Sequence, residues 1–368
     1  EGLSCASMKF FDIINQWANR YFSQPDAIYL VAALIGAMLV LMVFGAALAP
    51  VLMGLVIAFL LQGIVSGLEG WRVPRLAAVY MAFLLFVGAV LALFLLVAPL
   101  LWRQLQSLVQ VLPSLAQRLQ EGVSNLAQRF PEYVTSEQIS ALLEQVSREA
   151  ANVGGVVIET AFTQVFSLLG LVLYLVLVPI TVFFLLKDKD RLILAVRGVL
   201  PSQRPMINAV AVEMNTQLGN YVRGKALEIL IVGFVTFVAF LILGLNYAAL
   251  LSVVVGFSVL IPFVGAAVVT LPVFAVAVLQ FGFSADLAIV MVVYGILQFL
   301  DGNVLVPLLF SEANDLHPVA IIVAILAFGS IWGILGVFFA IPLATLIKAI
   351  FNAWPGSLAV TSTQQLDE

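Results

Sequence analysis

Leu76–Leu101 reads LAAVYMAFLLFVGAVLALFLLVAPLL, 26 residues without one charged side chain. A helix needs roughly 20 apolar residues to cross about 30 Å of hydrocarbon, so this stretch is long enough with residues to spare. The run is apolar at successive positions, not at alternate ones. That excludes a strand of an outer-membrane barrel, which alternates over about ten residues. Comparable runs lie on both sides, at 27–47 and 48–67 before it and at 157–186, 226–244, 248–281, 286–310 and 318–351 after it. Over the whole chain 63 % of residues are hydrophobic and only 10 % charged, and the mean hydropathy is +1.15. Soluble domains carry about 25 % charge, and a chain this apolar could not cover its surface in water. The predicted class is all-α: a polytopic helical membrane protein with about eight transmembrane helices.

The breaks between runs carry punctuation. Ala49-Pro50 is expected to turn the chain between the first two runs, and Trp71-Arg72-Val73-Pro74-Arg75 between the second and third. Lysine and arginine favour the cytoplasmic side. Lys9 and Arg20, Arg72 and Arg75, and the group Lys187, Lys189, Arg191, Arg197, Arg204, Arg223 and Lys225 fall on one side if the first four runs each cross once. With Lys348 near the end, the expectation is a multi-pass protein of the bacterial inner membrane with both termini cytoplasmic. Segment 102–156 then lies outside. Leu105, Leu108, Leu112, Leu115 and Leu119 recur at helical spacing there, so it reads as amphipathic helices, either a packed hairpin or an element for oligomerisation or gating.

The expected organisation has seven parts. Residues 1–26 hold a tag remnant (Glu1–Ser7 ahead of Met8) and a cytoplasmic amphipathic segment. Residues 27–101 hold three transmembrane helices, 102–156 the extracytoplasmic helices and 157–186 the fourth transmembrane helix. A basic cytoplasmic segment spans 187–225, a C-terminal bundle 226–351 and a cytoplasmic tail 352–368.

The C-terminal bundle has a different texture. Run 248–281 contains Ile261-Pro262-Phe263-Val264-Gly265 and Leu271-Pro272, and run 318–351 contains Gly329, Gly333, Gly336 and Ile341-Pro342. Proline removes a helical donor and glycine loosens the backbone. Both runs are therefore expected to be broken or re-entrant helices, either lining a solute path with freed backbone groups or simply kinked and packed through small residues. Pro262, Gly265, Gly333 and Gly336 are the path candidates.

Ionisable groups are costly within hydrocarbon, by at least about 2.5 kcal/mol at its centre, and therefore informative. Asp301 sits inside run 286–310 beside Gln298 and Asn303. A carboxylate there can exchange a proton or hold a cation, or it can mark a helix end at the interface. Glu159, Thr163 and Gln164 form a polar stripe at the start of the fourth helix, a path or a helix mouth. Glu228, one turn past Arg223 and Lys225, reads as an interfacial ion pair or a pathway residue. His317, in Leu316-His317-Pro318, reads as a helix cap. With one cysteine, Cys5, and one histidine, neither an intrachain disulfide nor a Cys/His metal cluster is available. No nucleotide-binding loop, nucleophile–base pair or metal triad appears, so neither an enzyme nor a bound cofactor is expected.

Several motifs in order carry a resemblance. Pro179-Ile180-Thr181-Val182-Phe183-Phe184 through Leu200-Pro201, Tyr221-Val222-Arg223-Gly224-Lys225 and Leu260-Ile261-Pro262-Phe263-Val264-Gly265 come first. Asn303-Val304-Leu305-Val306-Pro307, Asp315-Leu316-His317-Pro318, Gly333-Ile334-Leu335-Gly336 and Ala340-Ile341-Pro342-Leu343-Ala344 follow. Together they resemble the autoinducer-2 exporter (AI-2E) family of permeases over roughly residues 30–350. Ser311-Glu312-Ala313-Asn314 and Asp301-Gly302 depart from its usual pattern. The resemblance implies about eight transmembrane helices, an extracytoplasmic helical segment and homo-oligomers. It also implies export of a small sugar-derived signal or, in some members, sodium/proton exchange.

The expected function is thus a permease moving a small polar solute across the inner membrane. The alternatives are a Na+/H+-type antiporter and a non-transporting or channel-like oligomeric scaffold. The expected partners are the lipid bilayer, a small solute or cation, and other copies of the chain, with no nucleic acid; the coupling ion would be H+ or Na+.

Overall fold

The computed structural model describes residues 25–111, 114, 168–201, 204–262, 264–310 and 316–354. Among these residues the regular structure is helical, without a strand. Seven segments are long and apolar enough to cross a membrane: Asp26–Gly45, Ala47–Gly70, Arg75–Val111, Pro205–Ile242, Val264–Phe281, Ala285–Phe310 and Gly336–Ala353. Their outward faces carry bare apolar side chains; Val43, Leu95, Leu96, Leu230 and Phe234 are all more than two-thirds exposed. Only lipid can cover such a surface, so the chain is a multi-pass helical membrane protein.

Helix α1 (Pro25–Gly70) differs from expectation. No turn forms at Ala49-Pro50: the helix runs for 46 residues with Pro50 inside it. Ala49 and Pro50 are both buried, and packing of this kind lets a membrane helix tolerate proline. The punctuation at residues 71–75 does turn the chain. Val73 N–H donates to the Leu68 carbonyl and Arg72 N–H to that of Glu69, with Arg72 at φ 65°. This is a Schellman cap, with arginine where glycine is usual.

Helix α2 (Arg75–Ala92) passes through a π-helical turn, Leu93–Val97, into α3 (Ala98–Val111). A second π-turn, Asp301–Leu305, joins α9 (Ala285–Leu300) to α10 (Val306–Phe310). Each turn ends two residues before a proline, Pro99 and Pro307. Just beyond each, a backbone N–H reaches back five residues, Ala98 to Leu93 and Val306 to Asp301. The wider turn eases the clash between a proline ring and the preceding turn.

The chain divides into two compact units. The first takes 1–62, 181–222 and 312–368. It holds the start of α1, the end of α4 (Leu168–Lys187), α5 (Lys189–Val199), the start of α6 (Pro205–Ile242) and α11 (Pro318–Ala353). Ala27, Leu30, Met206 and Val210 are buried together, with Leu346 and Ile350 against them. Asp26 Oδ2 accepts the Met206 N–H at 2.7 Å, so α1 caps the start of α6. His317 caps α11, its Nδ1 accepting from Val319 N–H at 3.2 Å with Pro318 in the first turn.

Within α11 the backbone departs from helix at Gly333 (φ 59°, ψ −135°). A Cβ on Gly336 would overlap the Phe328 carbonyl, and one on Gly329 would lie 2.9 Å from Val337 Cγ2. Residues eight apart in a straight helix are separated by about 12 Å. The run is therefore folded back at Gly333 into two halves, Pro318–Gly333 and Gly336–Ala353. Farther along, Pro342 has no N–H for the Phe338 carbonyl four residues back. The Tyr221 hydroxyl takes that carbonyl at 3.0 Å, with its ring edge-on to Phe338 at 5.9 Å.

The second unit takes 63–180 and 223–311. Its core gathers Phe240 from α6, Leu251 and Val255 from α7 (Ala248–Ser258), Val273 and Ala277 from α8 (Val264–Phe281) and Val290 from α9. Helices α7 and α8 form a hairpin. A Cβ on Gly265 would overlap the Ser258 carbonyl, so the two helices meet backbone to backbone at the reversal. Neither reversal falls at its second proline: Pro272 and Pro342 both lie inside helix. The far end of this hairpin is clasped from outside. Tyr247, at the N-cap of α7, supplies no side-chain cap. Gln104 of α3 does so instead, its Oε1 accepting the Leu250 N–H at 2.8 Å. Gln280 donates to the Gly244 carbonyl and accepts from Asn246 N–H, both at 2.7 Å.

Candidate functional site: a buried ionic cluster at a helical hairpin tip

Helix α6 decides where the charges go. It runs unbroken from Pro205 to Ile242 and packs Lys225 and Glu228 inside the protein, 5 % and 2 % exposed. Counting back from Ile242 at 1.5 Å per residue, Glu228 lies about 21 Å and Lys225 about 26 Å along the helix. Asp301, counted from Ala285, lies about 24 Å along α9. The ends Ile242 and Ala285 both adjoin the loops that flank the clasped end of the hairpin.

The cluster forms at this depth. Lys225 Nζ donates to the Val259 carbonyl, at the end of α7, at 2.8 Å. The same ammonium forms a salt bridge with Glu228 Oε2 at 2.8 Å. Phe310 packs alongside. A Cβ on Gly224 would come within 2.6 Å of its Cε1, and Lys225 Nζ stands 5.3 Å from its ring centroid, within cation–π range. Asp301 opens the π-turn of α9 and lies within electrostatic reach of both Lys225 and Glu228. Its Oδ1 is buried without a hydrogen-bond partner among the described residues. Formal charges of one lysine and two carboxylates leave one negative charge, which is expensive in an apolar surrounding unless a proton, a cation or donor groups answer it.

A polar chain lines the other side of the tip. Gln298 Nε2 donates to the Tyr294 hydroxyl at 2.8 Å, and that hydroxyl donates to the Ala266 carbonyl at 3.3 Å. Thr270 Oγ1 donates to the same carbonyl at 2.8 Å. The tip thus carries a helix C-terminus served by Lys225 and a helix N-terminus beside Tyr294, the pairing of dipole ends that broken membrane helices present to solutes.

Of the residues expected from sequence, Asp301, Gln298, Pro262 and Gly265 come together at or beside this tip. Asn303 is engaged on its own helix, its Nδ2 donating to the Phe299 carbonyl at 2.9 Å. Gly333 and Gly336 belong to the other unit. Glu159, Thr163 and Gln164 lie outside the described residues. Lys225, Tyr294, Thr270 and Phe310 were missed as site residues. For Lys225 a signal existed: no proline or glycine pair interrupts 206–242, so it shares one helix with the apolar run that follows it. Glu228 is the ion-pair partner of Lys225, and both are buried in the protein. Among the described residues no group of three or more His, Cys, Asp or Glu is placed to hold a metal.

Comparison with known proteins agrees with this architecture. The family model described as "AI-2E family transporter" matches residues 28–356. The "Putative permease PerM" of Escherichia coli (strain K12) is 44 % identical over 352 residues, covering 94 % of this chain and 98 % of that protein. The "Putative transport protein YueF" of Bacillus subtilis (strain 168) is 30 % identical over 285 residues, 76 % of this chain and 77 % of that protein. By the span of that match and the closeness of these relatives, the chain belongs to the AI-2E transporter family.

Proposed function

We propose that this protein is a permease for a small polar solute, and that the solute crosses beside the tip of the α7–α8 hairpin. The observation that carries this reading is the ionic cluster of buried Lys225 and Glu228 with half-buried Asp301, whose Oδ1 has no hydrogen-bond partner among the described residues. Such groups are costly in a membrane protein and mark pathways by default. The unpartnered Asp301 oxygen suits a solute bearing a hydroxyl donor, and Gln298, Tyr294 and Thr270 add neutral polar groups beside the same hairpin tip. The family resemblance makes the sugar-derived signal autoinducer-2 the first compound to test. The reading includes placement in a bacterial inner membrane with the basic residues around α5 on the cytoplasmic side, and assembly into homo-oligomers.

A coupling ion belongs to the same proposal. The single uncompensated negative charge of the cluster equals one proton or one sodium ion, which supports exchange at the carboxylates. The experiment is flux into proteoliposomes, first of autoinducer-2 and then of protons under an imposed sodium gradient. Asp301→Asn removes the negative charge and keeps the shape; it is expected to cut flux at least about tenfold, the loss of one charged hydrogen bond. Wild-type flux in both Asp301→Asn and Gly265→Leu would remove the site from the pathway.

A further inference from the structure

We infer that Lys225 is a positioning residue that latches the tip of the α7–α8 hairpin through the Val259 carbonyl. Helix α7 is 11 residues long and ends at Ser258, with Val259 as its C-cap. The last carbonyls of a helix have no helical donor, and where such an end is buried, as Val259 is, the protein itself must supply one. Lys225 supplies it from a neighbouring helix, at 2.8 Å, with its positive charge at the negative end of the α7 dipole.

The surroundings fit a latch better than a plain ion pair. Glu228 lies three residues on along the same helix, and that pair could form on the surface of α6 alone. The ammonium nevertheless reaches across to α7. Helices α6 and α7 approach closely there: a Cβ on Gly256 would lie 3.1 Å from Gly233 Cα, so Lys225 and Val259 are held in reach by backbone packing. On another side the absent side chain of Gly224 admits Phe310, whose ring faces the ammonium. Carbonyl, carboxylate and ring together enclose one cation tethered to α6. Asp301, within electrostatic reach of Lys225, is a second carboxylate pulling on it. A solute or ion that binds either carboxylate therefore changes the pull on Lys225 and its hold on the hairpin. This last step rests on the permease reading; the latch itself does not.

The test separates the two. In a Cys5→Ser background, Ile261→Cys reports exposure of the tip through its rate of labelling by a small maleimide in reconstituted vesicles. Lys225→Met is expected to raise that rate about tenfold or more, the loss of a charged hydrogen bond, and Lys225→Arg to leave it near the parent value. The deciding variant is Lys225→Met combined with Glu228→Gln, which removes both charges and so inserts at less cost. If Lys225 only neutralises Glu228, the double variant labels at the parent rate and the latch is overturned. If Lys225 holds Val259, the double variant labels as fast as Lys225→Met. An unchanged rate in all the variants also overturns the latch. Fast labelling combined with wild-type flux would leave the latch standing and refute the permease reading of the tip.

Discussion

The two folded-back segments, α7–α8 in one unit and α11 in the other, solve the same backbone problem with different surroundings. In each, a glycine just past the reversal (Gly265, Gly336) lies against a carbonyl seven or eight residues earlier (Ser258, Phe328). In each, a proline sits inside the returning helix (Pro272, Pro342). Around the first tip stand Lys225, Tyr294 and Thr270. Around the second, Phe328 and Trp332 stack at 6.0 Å and 10°, and Trp332 approaches Gly45. A helical reversal in a membrane protein is therefore not a site in itself. Among the described residues, a neighbouring helix delivers the ionisable Lys225 to the α7–α8 tip, whereas the contacts seen at the α11 reversal are aromatic and backbone.

The largest expected effect tests what the two reversals share. Gly265→Ala and Gly336→Ala each place a methyl group on a backbone carbonyl, which cannot swing away as a side chain can. Each is expected to destabilise by about 3 kcal/mol, the upper part of the overpacking range, read as a fall in thermal unfolding temperature in detergent. Equal losses would establish the shared backbone design. Tolerance at one glycine with collapse at the other would break the comparison at its root.

A smaller pair of effects probes how the two differ. Among the described residues, Tyr221 serves the Phe338 carbonyl that Pro342 leaves without a helical donor. Tyr221→Phe should orphan a part-buried acceptor and cost about 2 kcal/mol. Tyr294 shares the Ala266 carbonyl with Thr270, so Tyr294→Phe should cost about 1 kcal/mol, the net value of one ordinary hydrogen bond. The reverse order would mean that the α7–α8 tip depends on Tyr294 more than its shared partners suggest.

Much of this contrast was legible in the sequence, for uneven reasons. Run 76–101 announced its class because hydrocarbon thickness sets a length no soluble element needs. Pro262 and Gly333 announced their breaks because each conflicts with helix locally. The fold-back itself was not legible, because the contact of Gly265 with Ser258 depends on a backbone path that composition does not encode. Pro50 misled in the opposite direction: its cost is met by burial, which only the packed neighbours reveal. The burial of Lys225 was not legible, because counting positive charges says nothing of which side chain a neighbouring helix end will claim. Tyr294 and Phe310 were invisible because an aromatic within an apolar run has the same signature whether it faces lipid or an ammonium group.

The smallest effect lies at the clasped end of the α7–α8 hairpin, remote from the ionic cluster. Helix α7 begins without a cap of its own, and Gln104, on the rod that leads toward segment 112–167, accepts its Leu250 N–H. Gln104→Ala should cost about 1 kcal/mol, the usual value of an N-terminal cap. The loss should appear as amide exchange about fivefold faster at Leu250 and Leu251, the same cap energy expressed as a rate. Gln104→Glu keeps an acceptor oxygen and should restore slow exchange, which a purely steric role for Gln104 would not predict. In α11 the corresponding cap is local, His317 on Val319, so changes in α3 should leave its first turn untouched. If exchange at Val319 rises together with that at Leu250, the two hairpins are coupled more tightly than their separate caps allow. If Leu250 exchanges slowly without Gln104, the first turn of α7 is held by the Ser107–Tyr247 contact at 3.1 Å, and α3 acts through that hydroxyl pair instead.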